Sequence, residues 1–364
     1  MIYVIGANVA GLRFANYLSE LSLDFHVFDK KPEIIGEQGD YIVLNNSFLE
    51  KYDFKRMGNS ALVNDVEVVR FHSPYGKIAE IETHGAYSIY DKSTLEYLLY
   101  KKLQNKGKDL VHSARFFDYN KTNGNVFFEE KGKGTLRKAD VIVGCDGLYS
   151  NVRDKLFNYS LAKKKMVYCR LKGKFDPKAI DYFVSNECKS LYRFVCPLDN
   201  KTAYFVSSEM SKESIDEFVL KNNYVVDGEI KYKEIGNFNG KKNLVGDQAL
   251  LLGSAGGVFN NFSGENFFES LRSVDIGYEI MRNTIKKTKY GSKDKFNFNR
   301  QNFLFDSLFN TLDQKAKKRS SLESLSEHKL DKLVARLNKK KASLVMPYPF
   351  EMVDNGFKKS FLFF

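Results

Sequence analysis

Long apolar runs are missing from this chain. No stretch reaches the about 18 apolar residues that a membrane-crossing helix needs. No basic segment precedes the first apolar run. The sequence therefore predicts neither a transmembrane helix nor a signal peptide. Cysteine is scarce, and Cys145, Cys169, Cys188 and Cys196 form no CxxC pair. That argues against a disulfide framework and for a reducing, cytoplasmic setting. The five histidines show no HxxxH or HxH spacing, so no metal site is expected from them. Internal repeats and low-complexity linkers are absent too. No RNP-like, helix-turn-helix or zinc-finger pattern is present, and no nucleic acid partner is expected.

What is present fits a soluble globular protein: 364 residues, 43% apolar and 28% charged. The formal net charge is +12. Two readings of it stand side by side. It favours anionic partners such as phosphorylated substrates or an acidic membrane face, or it is a lysine-rich solvated surface. The same choice recurs between Lys315 and Lys341, where ten Lys/Arg face three acids. Leu322, Leu325, Leu330, Leu333 and Leu337 fall there at near-helical spacing. They suit either a basic amphipathic surface for anionic lipids or a helix packed on its own domain.

Along the chain, residues 1–40 read as one βαβ unit. Ile2–Ile5 is a buried strand, Ala10, Phe14, Leu18 and Leu21 mark a helical face, and Phe25–Phe28 is the next strand. Residues 60–92 look like β ribbons. Ser93 and Glu96 form a capping box for a helix carrying Leu95, Leu98, Leu99 and Leu103. Four strand-like runs in 165–208 suit one antiparallel sheet. A short helix follows, then "NLVGDQALLLGSAGGVF" with a buried strand and glycine turn, then a helix from about Asn266 to Lys286. The expected fold class is α/β. A Rossmann-like domain over 1–160 and 240–290 carries an inserted antiparallel β-sheet substrate domain over 161–239, and 291–364 forms a helical C-terminal region.

The opening string "MIYVIGANVAGLRFANYL" is nearly the dinucleotide fingerprint G-x-G-x-x-G. Gly6 supplies the tight bend and Gly11 lets the helix pack on the strand. Asn8 stands where the second glycine lets backbone approach a pyrophosphate; it tolerates unusual backbone and can itself donate hydrogen bonds. Ala10 lies in the first helical turn, whose N–H groups would face the phosphates. Asp29, 23 residues after Gly6, ends the second strand where a carboxylate would take ribose hydroxyls, with Lys30 beside it. The alternative is an ordinary βα turn in a doubly wound sheet.

Two further strings share this logic. "VIVGCDGLYSNVR" carries Gly144, Asp146, Gly147, Ser150, Val152 and Arg153, and resembles the DG motif of flavin-dependent hydroxylases and reductases. "ALLLGSAGGVFNNFSGENFFESLRS" carries Gly253, Ala255 and Gly257, then a helix start at Gly264, Glu265 and Asn266. It resembles the second FAD fingerprint, with Ser254 in place of the acid that holds the ribityl chain. With all three in order, the chain resembles the FAD-dependent geranylgeranyl reductase family, whose fold is shared with p-hydroxybenzoate hydroxylase. "SLYRFVCPLDNKTAYFVSS" resembles that branch's Y-x-W-x-F-P strand. Tyr192 and Pro197 are in place, Phe194 stands for the tryptophan and Cys196 for the phenylalanine. "YDKSTLEYLL" resembles its D-R-x-x-L-D-x-x-L helix entry, with Lys92 for the arginine. The cysteine that many such reductases carry near the flavin has no counterpart in "IIGEQGDYIVLNN".

The resemblance covers roughly residues 1–290. It implies an FAD-dependent oxidoreductase that reduces C=C bonds of an isoprenoid or other hydrophobic substrate with electrons from an external donor. It also implies FAD contacts at the fingerprint residues named above and at Lys92, with Tyr192 and Phe194 as a substrate wall beside the flavin. The protein is expected to be cytoplasmic, with a peripheral membrane contact left open. Two alternatives remain: an aromatic hydroxylase-like monooxygenase, or a flavin-binding protein without activity.

Overall fold

The computed structural model describes residues 1–34, 39–52, 54, 59–185, 192–208, 210–261, 266–289, 298, 301–337, 346 and 348–353. The chain divides into two compact units. Unit 1 comprises 1–38, 93–162 and 236–316, and unit 2 comprises 39–92, 163–235 and 317–364.

Unit 1 is built on a parallel sheet. Its strands are β1 (Ile2–Ile5), β2 (Phe25–Phe28), β6 (Leu110–Val111), β10 (Val141–Gly144) and β16 (Ala249–Leu251), in the order β16-β10-β1-β2-β6. β1, β10 and β2 read as unbroken apolar or near-apolar runs because a parallel sheet is buried on both faces. The chain goes from β1 to β2 and β6 on one side, then returns to place β10 and β16 on the other. The crevice at the carboxyl ends of β1 and β10 is therefore a topological switch point, where open α/β sheets receive ligands.

Helix α1 (Val9–Glu20) follows β1, buries Ala10, Phe14 and Leu18, and starts at the cap Asn8. Its buried Asn16 donates through Nδ2 to the carbonyls of Leu12 (2.9 Å) and Leu99 (3.1 Å), tying α1 to α3 (Lys92–Gln104). On α1, the Tyr17 hydroxyl donates to Asp275 Oδ1 at 2.8 Å and its ring lies 4.6 Å from that of Tyr278. Both partners belong to the long helix α6 (Phe267–Lys289). A small antiparallel sheet, β7 (Ala114–Asn120), β8 (Asn125–Glu130) and β9 (Lys133–Lys138), packs on the parallel sheet through the stacked rings of Phe28 and Phe128, 4.2 Å apart.

Unit 2 is built on an eight-stranded sheet in the order β15-β11-β14-β13-β12-β4-β5-β3, with β15 spanning Val225–Asn237. β11 (Ala162–Lys172), β14 (Thr202–Ser208), β13 (Tyr192–Pro197) and β12 (Ala179–Val184) pair antiparallel. β12 then pairs parallel with β4 (Leu62–His72), which leads through β5 (Ile78–Asp91) to β3 (Tyr41–Asn45). One face is covered by α5 (Lys212–Lys221). Val167, Cys169, Leu171, Val195 and Phe205 of the sheet meet Ile215, Phe218 and Val219 of the helix.

This division corrects the boundaries expected from sequence. Residues 39–92 belong with 163–235 because β4 and β12 pair, and no local signal announces a parallel pairing between segments more than a hundred residues apart. The C-terminal region is helical, with α7 (Asp306–Glu323) and α8 (Glu327–Leu337), but its residues are shared between the two units. Leu322, Leu330, Leu333 and Leu337 are buried and Lys329, Lys332 and Arg336 are exposed, so that apolar stripe packs inside the protein. Among the described residues no helix is long and apolar enough to cross a membrane.

The tightest backbone approach sits under the opening fingerprint. A Cβ at Gly11 would lie 1.8 Å from the Gly6 carbonyl oxygen, and that contact is with backbone. Gly11→Ala is expected to destabilise the protein by about 3 kcal/mol or to prevent folding. Chemical denaturation of the variant against the parent checks this.

Candidate functional site

The three glycine-bearing strings meet at the carboxyl ends of β1, β10 and β16. Gly6 has φ +103°, and a Cβ there would come within 2.5 Å of the Cys145 carbonyl oxygen. The turn after β10 continues through Gly147 (φ +85°) into α4 (Asn151–Leu156), whose cap is Ser150. The turn after β16 is a short 3-10 helix, Gly253–Gly256, closed by Gly257 in the left-handed region at φ +78°. A Cβ at Gly253 (φ +59°) would meet the Cβ of Ala10 at 3.0 Å, so the last turn rests directly on the first helix.

Asp29 organises the tip of β2. Its two carboxylate oxygens accept the backbone N–H of Ala7 (2.6 Å) and of Lys31 (2.8 Å). Each oxygen keeps acceptor capacity for a further donor such as a ribose hydroxyl. Lys30 is exposed beside it. Asn8 caps α1: its Oδ1 accepts from Ala10 N (2.9 Å) and Gly11 N (3.3 Å), while its Nδ2 donates to the Cys145 carbonyl (2.5 Å).

Asp146 is turned inward. It accepts the Ser150 hydroxyl (2.5 Å) and the Val152 N–H (3.3 Å), and so fixes the start of α4. Burial pushes its carboxyl up to about 6, against the pull of those hydrogen bonds. Arg153 is 4% exposed. Its guanidinium donates to the carbonyls of Leu148 (3.0 Å), Tyr159 (3.2 Å) and Ala255 (3.4 Å) and to Asp154. It binds the second turn to the third, and its donors are spent on protein acceptors.

Ser254 and Asn266 act as a pair: Asn266 Nδ2 donates to Ser254 Oγ at 2.7 Å. The serine hydroxyl hydrogen is then left to donate, so the position that resembles an acidic acceptor presents a neutral donor. Gly264 and Glu265 lie outside the described residues.

Lys92, Tyr192 and Phe194 belong to unit 2. Lys92 Nζ is 3.1 Å from Asp40 Oδ2. Tyr192 lies in β13, and its side chain is outside the described part. Phe194 is buried on the sheet face opposite α5, its ring 5.6 Å from that of Tyr182, which in turn lies 5.4 Å from Phe71 and 5.5 Å from Phe350. Farther along the same face, Tyr204 contacts Tyr168 and Tyr41 at 5.9 and 5.3 Å.

Sequence reading missed two features of unit 1. Glu96, read as half of a capping box, has its Oε1 3.2 Å from Val9 N, at the first turn of α1. The helix that carries it already begins at Lys92. Glu269, in the first turn of α6, is buried and paired with Lys315 at 2.8 Å, and it accepts from Asn260 Nδ2 at 2.9 Å. Neither has a local signature. Among the described residues no cluster of three or more His, Cys, Asp or Glu could hold a metal ion.

A parallel sheet with a glycine turn, a helix N-terminus and a strand-end carboxylate at its switch point is a dinucleotide seat. The profile of the FAD binding domain family matches residues 1–214. The chain belongs to that family. FAD is its cofactor, and the three turns fit it: two backbone positions admit no side chain, and Asp29 keeps free acceptor capacity. Kynurenine 3-monooxygenase of Flavobacterium johnsoniae is 25% identical over 191 residues, covering 47% of this chain and 42% of that protein. The FAD-dependent monooxygenase ausM of Penicillium brasilianum is 26% identical over 173 residues, covering 43% of this chain and 34% of its own length. The chain thus matches less than half the length of these curated relatives.

Among solved structures, a geranylgeranyl bacteriochlorophyll reductase-like protein from Thermoplasma acidophilum is similar with TM-score 0.83 at 16% identity, covering 99% of this chain and 96% of that one. HpxO of Klebsiella pneumoniae, complexed with FAD and uric acid, is similar with TM-score 0.71 at 12% identity, covering 98% of this chain and 95% of that one. At these identities the likeness is one of fold.

Two outcomes follow for the FAD binding domain. Asp29→Ala is expected to weaken FAD binding by about 1.5–3 kcal/mol, the scale of a charge-assisted hydrogen bond, as read by flavin fluorescence quenching. Burial raises the Asp146 carboxyl from its ordinary 3.8 to about 6 in the folded protein. Its ionised form is thus disfavoured by folding. The penalty is present above pH 6, is relieved as pH falls from 6 toward 3.8, and is absent below that. The stability advantage of Asp146→Asn over the parent is therefore expected to shift against the variant, by on the order of 2 kcal/mol, between pH 7 and pH 4. Denaturant midpoints of both proteins across that range measure it.

Proposed function

We propose that this FAD-dependent oxidoreductase reduces carbon–carbon double bonds of an isoprenoid or similarly long apolar substrate. The observation that carries the reading is the aromatic sheet face of unit 2. Phe71, Tyr182 and Phe194 line that face with rings that pack against Phe350 of the C-terminal segment, so the face is apolar in character, as a site for such a chain would need to be. The full-length likeness to a reductase-like protein supports it.

Bound FAD, once reduced by an external donor, would supply the hydride for one alkene carbon, and a proton would be needed at the other. The residues of the chain do the rest. Gly6, Gly11 and Gly253 bring backbone close enough for the cofactor's polar half to be held by turns. Asp29 would accept from the ribose, and Ser254 Oγ–H would be free to donate to a cofactor hydroxyl. An apolar, ring-lined site would exclude water, which a poorly electrophilic alkene requires. Tyr41 shares the sheet with that cluster and is a phenol that keeps its proton at neutral pH: burial raises its pKa against the lowering effect of Arg170.

A second reading, monooxygenation of an aromatic substrate, is favoured by the curated relatives, which are monooxygenases. One experiment separates the two. FAD-loaded protein is reduced with dithionite and mixed anaerobically with geranylgeraniol. In parallel, aerobic protein with a reduced nicotinamide donor is mixed with kynurenine in an oxygen electrode. The reductase reading expects a product carrying two more hydrogens per reduced bond, by mass spectrometry, and no substrate-stimulated oxygen uptake. Oxygen uptake with a hydroxylated product, and an unchanged alkene, would reverse the assignment.

A further inference from the structure

The first turn of α1 is where a diphosphate would be received, yet its leading N–H groups already have acceptors. Val9 N donates to Glu96 Oε1 at 3.2 Å. Ala10 N and Gly11 N donate to Asn8 Oδ1 at 2.9 and 3.3 Å. Asn8 is held in place by its own donation to the Cys145 carbonyl at 2.5 Å. A glycine at position 8 would leave the second and third of these N–H groups open to a ligand.

We propose that Asn8 and Glu96 form a built-in stand-in for the FAD diphosphate, so that the cofactor binds by exchange with the protein's own acceptors. The proposal rests on FAD occupying the α1 seat and is independent of which substrate is reduced or oxidised. The two residues oppose binding differently. Asn8 is a neutral acceptor. A phosphate oxygen makes charge-assisted bonds to the same N–H groups, roughly twice as strong, so the exchange runs toward FAD once the amide turns away. Asn8 has φ −92° and ψ −174°, an extended backbone that any residue can adopt, so its amide turns by side-chain rotation alone. Glu96 carries a carboxylate on an N–H that faces the incoming anion. Like charges at that range repel, and the repulsion is stronger in a half-buried site than in water. Without cofactor, the same contacts cap α1 and satisfy donors that would otherwise be left open. The chain therefore keeps an intact fold in the absence of FAD, and the affinity for FAD is lower than a glycine turn would give.

The test uses Asn8→Ala, which removes the amide without adding backbone freedom, and Glu96→Gln, which keeps an acceptor for Val9 N but removes the charge. FAD and riboflavin affinities are measured by fluorescence quenching, and melting temperatures are taken with and without FAD. Asn8→Ala is expected to lower the melting temperature of the FAD-free protein while lowering the FAD Kd several-fold, so that the FAD-induced rise in Tm widens. Glu96→Gln is expected to lower the FAD Kd about tenfold. Riboflavin, which lacks the diphosphate, should bind both variants as it binds the parent. An FAD Kd that is unchanged or raised in both variants overturns the proposal, as does a riboflavin shift that parallels the FAD shift. Tightening by one variant alone assigns the stand-in to that residue and removes the other from it.

Discussion

At Gly6 and Gly11, in and after the turn that follows β1, no side-chain carbon fits. A Cβ on Gly6 would press on the Cys145 carbonyl, and one on Gly11 would press on the Gly6 carbonyl. Both obstacles are backbone, so neither can swing aside as a flexible side chain would. This closeness places the N-terminus of α1 over the switch point of the sheet, and it lets Gly253 rest on Ala10 so that the turn after β16 joins the same cluster. Arg153 then fastens the second turn to the third through carbonyls of Leu148 and Ala255. The polar groups of this seat hang on turns whose relative positions are set by contact.

The motifs were legible because each is a contiguous string with its own physics. A buried run, a glycine at positive φ and a helix start follow one another at Ile5–Gly11, and a similar string recurs after β10. The roles of individual polar residues were less legible. Asp146 and Arg153 belong to a recognisable string, yet the structure spends both on the protein itself, one as a cap for α4 and one as a clamp on carbonyls. A motif records which residue types a turn requires. It does not separate those that touch a ligand from those that hold the turn.

What stayed hidden was long-range. The parallel pairing of β4 with β12 moved residues 39–92 into the second unit, and nothing within either strand encodes its partner. Glu96 carries a capping-box spacing, but its Oε1 accepts from Val9 N, 87 positions away. Glu269 and Lys315 form a buried pair across 46 positions, with the lysine in a segment that had no motif to anchor it. A buried ion pair of this kind strongly penalises loss of either partner, whatever its net contribution to folding. Only the folded topology reveals it.

The charge of +12 invites the idea that this basic chain attracts its anionic cofactor through lysines. The described seat is organised otherwise. Its side chains at the tips of β1, β2 and β10 include Asp29 and Asp146, with Glu96 on the first turn of α1. The partial positive charge there comes from backbone N–H groups at a helix start, a fixed dipole rather than a mobile cation. The cations gather elsewhere. Lys163, Lys164, Lys165 and Lys233 line a cavity of about 570 Å³ in unit 2, and Lys329, Lys332 and Arg336 face solvent from α8. The net charge and the charge pattern of the described seat are therefore separate features of this chain. Salt that screens the lysines acts on the surface field, whereas the dipoles at the start of α1 are fixed in the fold.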